Sequence, residues 1–169
     1  GFKMRDFKIL ALCGAFAMLL GGCGAAKYQK RQVTEDPAVT ARFEALSKLG
    51  SPAIIAKAAA SEIAADTGGA KPHVKVAQFA FLEEISAQGS DLIYAYSLSP
   101  GWASLKSSDR QKYLKLLTKD ITENDCNAPS TRALLRSGVR EVHRFFYDYP
   151  SSHLLDSQVS EEICRKAGL

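Results

Sequence analysis

Residues 126–164 read CNAPSTRALLRSGVREVHRFFYDYPSSHLLDSQVSEEIC, and the fold of the chain turns on this stretch. Cys126 opens it and Cys164 closes it. Ala128, Pro129 and Ser130 reset the chain for a short helix with Arg132, Leu134 and Leu135 at helical spacing, and Gly138 ends that helix. From Val139 the period becomes two. Val139, Glu141, His143, Phe145, Tyr147 and Tyr149 fall on one face of a strand, and Arg140, Val142, Arg144, Phe146 and Asp148 on the other. A Pro150-Ser151-Ser152 turn leads into a last strand that runs to Cys164, with Leu155, Val159 and Ile163 on its inner side. A bond between the two cysteines ties the helix and both strands into one loop, restricting the unfolded chain by about 4 kcal/mol on a chain-entropy argument.

Working back toward the N-terminus, Ser108-Asp109-Arg110-Gln111 has capping-box spacing, and Leu114, Leu117 and Ile121 make a helical stripe that delivers Cys126. Before it, Val74 to Ile85 and Leu92 to Leu98 read as two antiparallel strands around the Gly89-Ser90-Asp91 turn, with Leu92, Tyr94, Tyr96 and Leu98 on one face. Asp36-Pro37 and Ser51-Pro52 each look like an N-cap followed by proline at the first helical position. The two helices they open stop at Gly50 and near Gly68-Gly69. Helix, helix, strand, strand, helix, short helix, strand, strand predicts an α+β domain: an antiparallel sheet of about four strands with helices packed on one face.

At 169 residues and 46% apolar composition the chain fits one domain with a real core. A formal charge of +4, with no basic cluster interleaved with stacking aromatics, argues against a nucleic-acid partner. Lys3, Arg5 and Lys8 precede an uncharged apolar run from Ile9 to Leu20, too short to span a bilayer as a helix. Leu20-Gly21-Gly22-Cys23 follows at once. This resembles the lipobox of bacterial lipoproteins, in which the cysteine is acylated after cleavage before it. The resemblance implies a signal peptide over residues 1–22 starting at Met4, lipidation of Cys23, and a tether to residue 35. The domain then covers residues 36–169. Gly24, where enteric lipoproteins retained at the inner membrane carry aspartate, implies passage to the outer membrane with the domain facing the periplasm.

That route fixes the reading of the cysteines. Cys13 leaves with the signal and Cys23 carries lipid, so Cys126 and Cys164 are the thiols left in an oxidising compartment, where they are expected to pair. The competing reading joins them to His143 or His153 as a metal site, but no close Cys or His pair has zinc-ligand spacing. His73, His143 and His153 stand apart in the sequence. Glu83-Glu84 and Glu161-Glu162 point to opposite sides of an extended chain, which suits no paired-carboxylate mechanism. A serine, His143 and Asp148 make a triad only on paper, because a triad is recognised by geometry. The chain is therefore expected not to be an enzyme, and to need no cofactor, metal or small-molecule substrate. Tyr94, Tyr96, Phe145 and Tyr147 are the candidate partner-binding residues, since tyrosine and phenylalanine bury much area with few rotatable bonds.

The pattern Cys126-x-x-Pro129-x-x-Arg132-x-Leu134-Leu135-x-x-Gly138-Val139, followed by an aromatic strand and closure on Cys164, resembles the C-terminal half of the α/β-type pilotin lipoproteins of the type II secretion system. The resemblance is strongest over Thr118 to Cys164. The helices between Asp36 and Gly68 are additional to its compact members. It implies a protein that binds a C-terminal helix of secretin subunits and assists their outer-membrane targeting. The alternatives are an interaction lipoprotein of another envelope machine, such as a conjugation or exclusion apparatus, and a periplasmic enzyme.

Overall fold

A computed structural model of the protein describes residues 28–169, so the lipobox and Cys23 lie outside the described residues. Asp36 accepts a hydrogen bond from the Ala38 amide and opens α1, Pro37–Leu46. Ser51 opens α2, Pro52–Thr67, and Gly68 closes it in the left-handed conformation. Both starts and the second stop follow the sequence signals, because a side-chain oxygen satisfies an orphan amide where proline has already removed another.

The sheet has five strands in the order β1-β2-β3-β4-β5: Val74–Ala77, Ala80–Gln88, Asp91–Leu98, Arg140–Asp148 and Ser151–Val159. Two features differ from the expected four antiparallel strands. The stretch from Val74 to Ile85 folds back on itself at Gln78-Phe79, so that Ala77 pairs with Ala80 and the run becomes β1 and β2. Secondly, β3 and β4 are parallel, with Tyr94 opposite His143 and Tyr96 opposite Phe145. Parallel neighbours need a long crossover. Here it comprises α3 (Pro100–Ala103), α4 (Ser107–Asn127) and α5 (Pro129–Arg136).

Two local expectations also change. Lys106, not Ser108, is the N-cap of α4, and it makes no side-chain cap bond. The last strand ends at Val159, and Ser160 caps a final helix, α6, Glu161–Lys166, on which Cys164 sits. Glutamates in its first turn and basic residues in its last complement the helix dipole, which favours a turn of helix over continued strand.

Helices cover one face of the sheet. Leu92, Tyr94, Tyr96, Leu98 and Phe145 point into the core, against Ile55, Ala56, Ala59 and Ile63 of α2, Leu117 and Ile121 of α4, and Leu134 and Leu135 of α5. The alanines of α2 let it lie close to the sheet, while burial of Phe145 alone contributes about 1.5–3 kcal/mol. Gly138 ends α5 at φ +93°, and a Cβ there would stand 2.9 Å from Pro52 Cγ, so the turn into β4 needs glycine both for its backbone and for space. The other sheet face is laced by polar pairs, Arg140 with Asp91 and Arg144 with Asp156. Cys126 and Cys164 are disulfide-bonded, joining the last turn of α4 to α6.

Candidate functional site

Alternation along β4 turns Glu141, His143 and Phe145 toward the helices, and the parallel register sets them beside Tyr94 and Tyr96. The rings form a continuous stack. Tyr94 and His143 have centroids 5.1 Å apart, Tyr96 and His143 5.8 Å, and Tyr96 and Phe145 5.0 Å, all nearly coplanar in tilt. Tyr96 and His143 Nδ1 share a hydrogen bond of 2.9 Å, and Tyr94 donates to Glu141 Oε1 at 3.4 Å.

The other imidazole nitrogen meets α4. His143 Nε2 is 2.8 Å from Asp125 Oδ2 and 3.5 Å from Glu141 Oε2. All three residues are buried, Glu141 completely. Burial pushes the imidazole pKa down, but the charge and hydrogen bond of Asp125, with help from Glu141, outweigh it and hold it above its ordinary value. The Tyr94 phenol is pushed well up, first by burial and then by the neighbouring Glu141 and Asp125 charges. Such a cluster can store a proton or bind a cation. It presents no exposed group to a substrate.

The four aromatic residues expected to meet a partner separate in the structure. Tyr94, Tyr96 and Phe145 are buried in the stack, whereas Tyr147 is 39% exposed at the end of the same β4 face. Tyr147 lies 6.1 Å from the buried ring of Trp102 on α3, over which Arg110 places its guanidinium. Half-buried Leu114 and Leu155 also pack against the core. The other paper constellations dissolve. Asp148 is exposed and does not meet His143; Glu83 binds His73 and Ser97, and Glu84 accepts from Tyr149. Glu161 pairs with Arg132, and Glu162 with Lys166.

Sequence reasoning missed Asp125 and Glu141 as the partners of His143. One signal was available: placing Glu141 and His143 on the same face as Phe145 puts two polar groups on a core surface, which demands partners. It also missed a strap before α1. Asn127 donates to the Gln29 carbonyl at 3.0 Å, and the Gln29 amide donates to Glu123 at 2.9 Å. Arg31 pairs with Asp120 at 3.1 Å, and Glu35 accepts from both the amide and hydroxyl of Ser130. Burial raises the Asp120 carboxyl pKa, and Arg31 beside it partly offsets the rise. Among the described residues, no helix is long and apolar enough to cross a membrane.

No protein-family model matches the chain, and no curated protein matches it at a significant level. Solved structures do. A Pseudomonas aeruginosa protein described as secreted superposes with TM-score 0.53 at 13% identity, covering 69% of this chain and 98% of its own. EpsS, the pilotin of the Vibrio vulnificus type 2 secretion system, superposes with TM-score 0.50 at 12% identity, covering 76% of this chain and 97% of its own. The chain has a pilotin-like fold. At such identity the likeness is one of architecture.

Proposed function

We propose that the protein is a pilotin-like assembly lipoprotein without a catalytic step. In this reading Cys23 carries lipid, residues 23–35 form the membrane-proximal segment, and residues 36–169 form a periplasmic domain held at the outer membrane. The domain captures a C-terminal helix of a secretin subunit and brings it to the membrane where the ring assembles. The observation that carries the reading is the shared fold, which spans 97% of the EpsS pilotin. The lipobox pattern at Leu20 to Cys23 supports it from the sequence side.

The partner contact is centred on Tyr147, with the Trp102 ring beside it and the Tyr94–His143–Tyr96–Phe145 stack continuing the same sheet face into the core. An exposed tyrosine backed by a buried indole is the kind of anchor that an apolar helix face packs against. A photo-crosslinking amino acid in place of Tyr147, followed by identification of the captured protein, tests the contact. Capture of a secretin, together with loss of secretin multimers on gene deletion, is the expected result. Normal multimers in the deletion strain would overturn it, and capture of a component of a conjugation or exclusion apparatus would move the protein to that machine.

A further inference from the structure

The buried cluster of Asp125, Glu141 and His143 is closed off from any partner's surface, yet its chemistry is specific. We propose that these three side chains form a binding site for a divalent transition-metal ion of the zinc class. One imidazole nitrogen and one oxygen from each carboxylate lie within 4.8 Å of one another. His143 Nε2 is 2.8 Å from Asp125 Oδ2 and 3.5 Å from Glu141 Oε2. An ion with bonds of about 2.0–2.2 Å holds its ligands roughly 3–3.5 Å apart, so small rotations of the carboxylates close the site around it.

Three features favour an ion of this class. Two carboxylates and a neutral imidazole carry a formal charge that a divalent cation balances, which matters most for groups that are buried. Tyr96 bonded to Nδ1 leaves Nε2 as the ligating atom and fixes the ring, as partners of metal-bound histidines do. Tyr94 likewise steadies Glu141 from outside the ligand set. The donor set is one nitrogen and two oxygens. Calcium needs about six to eight oxygens and magnesium keeps several waters, whereas zinc accepts three protein ligands with a fourth position filled by water or a second carboxylate oxygen.

Two exposed pairs, His73 with Glu83 and His153 with Asp156, supply the surface background from which the buried site must be told apart. The untagged protein, stripped with a chelator, is titrated with Zn²⁺ alone and with Co²⁺ alone. The expected result is one equivalent bound per chain, a rise in melting temperature, and the visible absorption of low-coordinate Co²⁺. His73→Ala/His153→Ala keeps that equivalent. Glu141→Gln and His143→Gln lose it, and Tyr96→Phe binds about 10-fold more weakly. Absence of stoichiometric binding overturns the proposal, as does binding that survives Glu141→Gln or disappears in the surface double variant. Should Glu141→Gln fail to fold by circular dichroism, the surface variant and Tyr96→Phe decide: retention in the first with weakening in the second supports the site, and any other pair of results overturns it.

Discussion

His143 reaches from β4 to Asp125 on the last turn of α4, 2.8 Å away, one residue before the cysteine that locks that turn to α6. The crossover is thus fixed at one place, to the sheet by the buried His143–Asp125 pair and to α6 by a covalent bond.

Removing one member of that pair leaves the other buried with its principal partner gone. Asp125→Ala is expected to cost about 3–5 kcal/mol, with the urea midpoint as readout in chelator. Adding His143→Phe should recover part of the loss, because an aromatic ring can rejoin the stack while no imidazole is left to solvate. A double variant as unstable as the sum of its singles would show that the two residues act independently.

Cys126→Ser is expected to lower stability by about 2–5 kcal/mol, and reduction of the unaltered protein by a similar amount. Steady-state level in the cell should fall with it. Equal urea midpoints with and without reductant would contradict this, and loss of a redox activity in a stable, folded variant would point to a different role for the pair.

Gly138→Ala meets two penalties, the left-handed backbone and the contact with Pro52 Cγ. Together they should cost roughly 1–3 kcal/mol. Pro52→Ala in the same chain relieves only the steric part, so the double variant should fall between Gly138→Ala and the parent once the cost of Pro52→Ala alone is subtracted. Thermal melts of the four proteins test this.

Glu35→Ala removes the acceptor of the Ser130 amide and hydroxyl. Hydrogen exchange at the Ser130 amide should quicken, and stability should drop by about 1–2 kcal/mol. Unchanged exchange at that amide would mean that the strap does not hold in solution.

The Arg132 hydrogen bond and charge hold the Glu161 carboxyl below its ordinary value of 4.5, against a smaller opposing effect of burial. A depressed folded-state pKa gives a contribution that is present above the ordinary value and lost as pH falls through the folded one. The stability difference between the parent and Glu161→Gln should therefore shrink in the acid range below 4.5 and stay flat above it. A difference that grows on acidification would refute the assignment.

Much of this was legible before any coordinates. Asp36-Pro37, Ser51-Pro52 and Gly68 mark helix ends because their chemistry is local, and the period-two run from Val139 places Phe145 inward correctly. The Cys126–Cys164 pairing was expected from the lipobox resemblance, and the two cysteines are bonded. What stayed hidden was non-local. Gln78-Phe79 carries no glycine, proline or asparagine to announce the fold-back between β1 and β2. Strand patterns give faces but not neighbours, so the parallel β3–β4 pairing had no sequence signature. Asp125 belongs to a polar helix end that reads as solvated, and only the crossover brings it over His143. For the same reason Tyr94 and Tyr96, legible as one face, were not legible as core and support.

The disulfide has one more consequence. Residues 126–164 form a covalent ring. A protease that cuts the exposed turn between β4 and β5, around Ser151 and Ser152, opens the ring without releasing a fragment, since each cut end remains attached through sulfur. A molecule nicked there would hold both pieces together, and its injury would become visible on a gel only after a reductant was added.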